Sequence, residues 1–349
     1  MYNTFHNGLF RILDDDNNTQ TTEEIVYKNV KIIDREPPNI SSCILGAISW
    51  DKFTDNMEQN FEKMQRLCTL EIESLNAIID LQDYIIPSTK IATTCGRYLG
   101  VGINGFATFA ASLGLNYNSP KLWKITHDLA EMQMYCLMYA SNQLAKEVGE
   151  CQWFYKTKYA QGILPIDTYK QAVDTIVPNA LKMDWEGLRK SIKLYGLRNS
   201  AFTAVMPVQS SSVISNSTNG IELPRAPLTI IKSKNRFLRQ IVKKFDTLED
   251  DYTYAWDTPT NKGYINICAV IQKFFDQSIS ANTYYNPEWY EGDTIPITEM
   301  VGDILYAYRM GLKTMYYHNS NDLRDEMEED SVLELACNLE NKDCEACNL

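Results

Sequence analysis

With 349 residues and a net charge of −12, the chain is long enough to bury a large core, as one large domain or two. It shows no basic stripe of the kind nucleic acid requires, and no segment approaches the roughly 18 uninterrupted apolar residues of a membrane helix. The first residues, Met1-Tyr2-Asn3-Thr4-Phe5-His6, lack the basic-then-apolar order of a secretory signal, so the expectation is a soluble, cytoplasmic protein with no nucleic-acid or membrane partner.

Residues 1–40 read as an extension or docking arm. Asp14 to Thr22 is a polar, low-complexity linker, Ile25 to Ile33 fits one extended strand, and Pro37-Pro38 interrupt the pattern. From Asp51 to Tyr84 the apolar residues Phe53, Met57, Phe61, Met64, Leu70, Leu75, Ile78 and Ile79 recur at helical spacing. Gly100-Val101-Gly102-Ile103-Asn104-Gly105 is a formal dinucleotide fingerprint. No apolar strand leads into it and no acid ends a second strand beyond it, so a nicotinamide site is not expected. Ser119-Pro120 opens a helix that runs to about Val148, a capping serine followed by proline in the first turn. Cys151-Gln152-Trp153-Phe154 and Gly162-Ile163-Leu164-Pro165 read as loops, and Trp185–Tyr195 as a helix.

The stretch Arg198–Ser212 is the centre of the chain. Ala201 to Met206 reads as a short buried strand, which Pro207 ends because it offers no N–H to a ladder. Gln209 and Ser210-Ser211-Ser212 then cluster backbone and hydroxyl donors. Such a cluster is either an anion cradle at the mouth of a sheet or a plain serine-rich turn. Further on, Leu228–Lys232 is a strand, Gly263–Phe275 a helix and Ser278–Asn282 a short strand or turn. Thr298–Met310 is a helix with Val301, Ile304, Leu305 and Tyr308 on one side; Gly311 stops it, and Leu312–Tyr317 reads as a strand. Helices alternating with short apolar strands give an α/β fold.

Nine cysteines in a chain of this kind do not read as a disulfide framework. Cys68, Cys136 and Cys268 lie in apolar helical stretches and are expected in the core. Residues 322–349 form an acidic tail expected to be flexible: between Asp322 and Glu345 ten acids face only Arg324 and Lys342. Its pair Cys344-Glu345-Ala346-Cys347 suits a mobile dithiol for thiol–disulfide exchange, with half of a metal site as the other reading. Tyr316-Tyr317 is either a core and a rim residue of one strand or a pair of neighbouring phenols for stepwise radical transfer. No E-x-x-H or P-loop occurs, and His6, His127 and His318 show no ligand spacing, so no metal is expected in this chain.

Several blocks in fixed order carry a resemblance: Gln82-Asp83-Tyr84, Gly162–Tyr169, Gly196–Ser200, Met206-Pro207 with its serines, Ser215–Glu222, Asp276–Thr283, Lys313–Tyr317 and the terminal cysteine pair. Together they resemble the large, catalytic subunit of class I ribonucleotide reductase, from near Cys43 to the C-terminus. The resemblance implies residues 41–321 as the C-terminal half of a ten-stranded α/β barrel with helical and small α/β insertions. It makes Cys43 one of two active-site cysteines oxidised during turnover, with its partner on an earlier part of the family chain. Leu45 falls beside it in the substrate site. Pro207, Val208, Gln209, Ser210 and Ser211 match the loop that binds the substrate's phosphates, with Val208 and Gln209 departing from the commoner residues. Tyr316 and Tyr317 match the radical-transfer pair, and Cys344 and Cys347 the tail thiols that re-reduce the active site and are themselves reduced by thioredoxin or glutaredoxin. Thr298–Met310 falls where the small subunit's C-terminal peptide docks.

The family's radical cysteine stands in an Asn-x-Cys-x-Glu motif, whereas the corresponding place here is the linker near Asn18–Glu24. The expectation is therefore the C-terminal part of a split ribonucleoside-diphosphate reductase large subunit. Its implied partners are an N-terminal half and a small subunit bearing the tyrosyl radical and dinuclear metal centre, and its substrate is a ribonucleoside diphosphate. A non-catalytic regulatory or structural binding role is the other reading.

Overall fold

The computed structural model describes residues 40–42, 44–233 and 236–321. Its first strand, β1 (Ile44–Ser49), pairs in parallel with β2 (Leu99–Asn104), in register from Ile44↔Leu99 to Ser49↔Asn104. A parallel pair needs a long crossover, and here it is α1 (Met57–Leu81) followed by α2 (Pro87–Gly96). Asn56 caps α1 by accepting from the N–H groups of Glu58 and Gln59. Met64, Cys68, Ile72, Leu75 and Ile79 give α1 one buried face.

After β2 come α3 (Phe106–Ser112) and the long α4 (Pro120–Val148). Ser119 stands at the N-cap of α4 but its side chain caps nothing; Pro120, pre-set in φ, starts the helix, and Gly149 ends it. The helix packs on α1 along one side. Trp50 Nε1 donates to Gln133 Oε1 at 2.8 Å, and Gln133 Nε2 donates to the Gly102 carbonyl at 3.1 Å, which ties helix and strand together. The short α5 (Pro165–Thr168) and α6 (Trp185–Tyr195) follow, and then α7 (Gln209–Ile214), where the sequence reads as a serine-rich turn.

An antiparallel hairpin, β3 (Leu228–Ser233) and β4 (Arg236–Ile241), leads through α8 (Phe245–Leu248) to α9 (Lys262–Gln272). Every residue of α9 from Gly263 to Gln272 is buried, as for a helix wrapped on all sides. Last come β5 (Thr283–Tyr285), α10 (Ile297–Met310) and β6 (His318–Ser320), with β5 and β6 parallel.

The segment 201–205 is extended as expected, yet it forms no regular strand. It is bridged at Tyr98↔Ala201, just before β2, and to the following segment at Val205↔Ile279, both in parallel. The cause is Asp276, whose carboxylate takes the N–H groups of Phe202 and Thr203, each at 2.9 Å, out of the ladder. Similarly, the expected strand Leu312–Tyr317 is irregular, although Tyr316 N–H donates to Ala281 O and Thr283 N–H to Tyr317 O. With these links, five extended segments lie side by side in chain order, all parallel: β1, β2, 201–205, 279–285 and 316–320. This is an α/β arrangement, and among the described residues the row does not close on itself. No helix of the described residues is long and apolar enough to cross a membrane.

The glycines of the formal fingerprint lie inside or just after β2, and packing accounts for them. A Cβ on Gly102 would stand 2.8 Å from the Ala204 carbonyl oxygen and 2.9 Å from Met206 Sδ, so only glycine lets 201–206 lie this close. Gly105 turns the chain into α3 with φ of 75°.

Candidate functional site

Alternation along β1 sends Ile44 and Ile48 into the core and leaves Leu45 on the opposite face, 47% exposed. A Cβ on Gly100 would meet Leu45 Cδ2 at 2.8 Å and Ala204 Cβ at 3.3 Å. Leu45, Gly100 and Ala204 therefore share one face, which leads by way of Met206 to Pro207. Here the chain leaves the row. Val208 and Gln209 N–H both donate to Asn219 Oδ1, at 2.8 and 2.9 Å, and Gln209 takes a φ of 28°. Ser212 Oγ donates to Gln209 O at 2.6 Å, and Ser215 Oγ to Ser211 O at 2.8 Å. Asn104 Nδ2 at the end of β2 donates to Ser215 Oγ at 3.0 Å and braces the whole turn. Gln209, Ser210 and Ser211 remain exposed.

Tyr316 and Tyr317 stand at the other end of the row. Their ring centroids are 4.0 Å apart at 49°, and about half of each residue is exposed. The adjacent Tyr317 phenol raises the Tyr316 pKa above the usual tyrosine value. A regular strand would send neighbours to opposite faces; the irregular backbone before β6 lets them meet.

Three residues with no role assigned in the sequence join these two places. Asn219 Nδ2 donates to Glu222 Oε2 at 3.1 Å, and Asn282 Nδ2 donates to Glu222 Oε1 at 2.8 Å. Tyr317 N–H donates to Asn282 Oδ1 at 3.0 Å. Burial pushes the Glu222 pKa up, against the pull of the hydrogen bonds from Asn219 and Asn282 and the charge of Arg225. The sequence placed Asn219, Glu222 and Asn282 only within the blocks Ser215–Glu222 and Asp276–Thr283 that carry the family resemblance.

Cys43, Cys344 and Cys347 lie outside the described residues, as do Cys337 and the stretch Ile25–Ile33. Ser42, next to Cys43, has its hydroxyl 2.8 Å from Thr93 Oγ1. Cys68, Cys136 and Cys268 are buried core residues, as expected, and Cys151 joins them. Burial pushes the Cys151 thiol up to about 11 and the Cys268 thiol to about 12, so both are thiols at neutral pH and poor nucleophiles.

A cavity of about 740 Å³ is lined by neither the loop nor the tyrosine pair. It sits at the starting ends of the parallel segments, lined there by Ser41, Tyr98, Ser200, Asp276 and Lys313.

A family model described as "Ribonucleotide reductase, barrel domain" matches residues 15–318. The match begins well before Cys43 and takes in much of the stretch read as an arm. The chain is 42% identical to the ribonucleoside-diphosphate reductase subunit alpha of Haemophilus influenzae, over 87% of this chain and 39% of that protein. It is 46% identical to subunit alpha of reductase 1 of Escherichia coli over 73% of this chain and 33% of the relative. With subunit alpha of Enterobacteria phage T4 it shares 37% identity over 81% and 37% respectively. The chain thus spans between a third and two fifths of the length of these relatives.

Proposed function

Because the chain belongs to the ribonucleotide reductase large-subunit (alpha) family, we propose that it is the C-terminal half of a split large subunit. In this reading it takes part in reducing ribonucleoside diphosphates to deoxyribonucleotides, and a separate polypeptide supplies the first half of the barrel and the radical cysteine. The observation that carries the reading is the Tyr316–Tyr317 pair, two half-exposed phenols in ring contact at 4.0 Å.

The chain's own residues divide the work. Pro207 to Ser211 hold the substrate's phosphates through backbone N–H and hydroxyl groups, and Leu45 forms part of the same face. The tyrosine pair passes a radical inward, each phenol losing a proton and an electron together, and the 4.0 Å ring contact keeps the transfer between them short. Cys43 and a cysteine of the other half supply two electrons and two protons as the ribose 2′-hydroxyl leaves as water, and they end as a disulfide. Cys344 and Cys347 reduce that disulfide by exchange and are reset by thioredoxin or glutaredoxin. The small subunit, with its dinuclear metal centre, would supply the radical that this pair carries. That subunit's C-terminal peptide docks on α10, whose outer face shows Ile297, Val301, Leu305 and Tyr308 at 68, 45, 62 and 73% exposure.

Tyr316→Phe and Tyr317→Phe provide the test in an assembly of this chain, an N-terminal half and a small subunit. Each is expected to abolish turnover while the three polypeptides still co-purify. Full turnover by either variant contradicts the assigned radical path.

A further inference from the structure

The hydrogen bonds from the loop to the tyrosine pair form one unbroken chain with a definite polarity. Val208 and Gln209 N–H point to Asn219 Oδ1, Asn219 Nδ2 points to Glu222 Oε2, Asn282 Nδ2 points to Glu222 Oε1, and Tyr317 N–H points to Asn282 Oδ1. Glu222 is the only member that accepts on both sides. Asn282 is 6% exposed, and Glu222 lies on the edge of the core behind the buried Ile221.

An ionised carboxylate only accepts, so each asparagine must turn its NH₂ toward Glu222. Each amide oxygen is thereby forced outward, Asn219's onto the loop N–H groups and Asn282's onto the Tyr317 N–H. A glutamine at 222 cannot hold both, because one of its two ends is itself a donor. The asparagine facing that end must flip or lose its bond, and a flip presents NH₂ to an N–H where an oxygen is needed. Polar groups left unmatched in a buried network are costly.

We propose that Glu222 is a positioning residue that sets the backbone of the phosphate loop and the backbone at Tyr317 together. The proposal rests on the reductase reading for the meaning of its two ends. The positioning itself rests on this geometry alone.

Amide hydrogen exchange on the full chain tests the positioning without any turnover. In Glu222→Gln, the amides of Val208 and Gln209, or that of Tyr317, are expected to exchange about tenfold faster. Amides in the middle of α4 should stay as slow as in the wild type. Unchanged exchange at all three amides overturns the proposal, and so does equal acceleration throughout, which marks a general loss of stability. Steady-state kinetics on the assembled enzyme supply the second readout. Asn219→Ala should raise KM for the diphosphate with kcat kept, Asn282→Ala should lower kcat with KM kept, and Glu222→Gln should do both. Equal effects of all three variants on both constants contradict the proposal. A wild-type assembly with no turnover would instead defeat the reductase reading, and the exchange result would still decide the role of Glu222.

Discussion

Asp276 Oδ1 accepts both the backbone N–H and the hydroxyl of Thr203, each at 2.9 Å, and Thr203 Oγ1 in turn accepts the Asp276 N–H at 3.0 Å. This reciprocal clasp holds the middle of the central segment where a ladder would otherwise run. The other oxygen, Oδ2, takes the Phe202 N–H and the Tyr159 hydroxyl at 2.7 Å. The carboxylate is therefore saturated with donors. In Asp276→Asn the amide NH₂ must face at least one N–H group. The expected loss is about 2 kcal/mol, read as a lower urea midpoint with unchanged slope. A shift of under a quarter of that contradicts the account.

Close approach, rather than nucleotide binding, accounts for Gly100 and Gly102. Gly102→Ala drives a methyl group into the Ala204 carbonyl, a backbone atom, while Gly100→Ala meets mainly the end of the flexible Leu45 side chain. Overpacking against backbone costs about 1–3 kcal/mol. Gly102→Ala should be the more damaging of the two by thermal unfolding, and the reverse order would refute this packing.

Asp167 carries a pH dependence. Hydrogen bonds from Arg189, at 2.6 and 3.0 Å, hold its carboxyl below the usual aspartate value, against the effect of burial. A carboxyl depressed in the folded state contributes stability above its unfolded pKa of about 3.9 and loses it as pH falls through the folded value. Asp167→Asn should accordingly lower the melting temperature at neutral pH and narrow the gap from wild type in acid. A gap that stays constant with pH rules out the ion pair as its source.

The phenol pair makes a spectroscopic prediction. The Tyr317 hydroxyl is the main cause of the raised Tyr316 pKa, so Tyr317→Phe should return Tyr316 toward the ordinary tyrosine value of about 10. Titration of a ¹³C-labelled tyrosine at 316 reads this directly. No movement would show that the phenols do not communicate in solution.

How much was legible in the sequence depended on how local its cause was. Helix α4 announces itself at both ends, with Pro120 in the first turn and Gly149 at the stop. The side of α10 bearing Val301, Ile304, Leu305 and Tyr308 was visible as an apolar stripe, but its direction was not. It faces outward because Asp303, on the opposite side, is drawn inside by Asn261 Nδ2 at 2.9 Å and the Tyr285 hydroxyl at 3.0 Å. The interruption of 201–205 was hidden for the same reason, since its cause is Asp276, remote in sequence. Strand β4 escaped because Arg236 and Arg239 dilute the apolar pattern that marked β3. The loop residues and both tyrosines were found through the family blocks, whereas Glu222 and its two asparagines take their meaning from pairing across up to 60 residues.

The most direct measurement of the central claim is turnover of a ribonucleoside diphosphate in defined mixtures of polypeptides. On the proposed split, this chain with the small subunit alone should give no deoxyribonucleotide, because the other polypeptide would carry the radical cysteine. Adding a polypeptide that carries the family's N-terminal half, with thioredoxin as reductant, should restore product formation. Turnover by this chain without that half would contradict the account, and so would failure of the complete mixture.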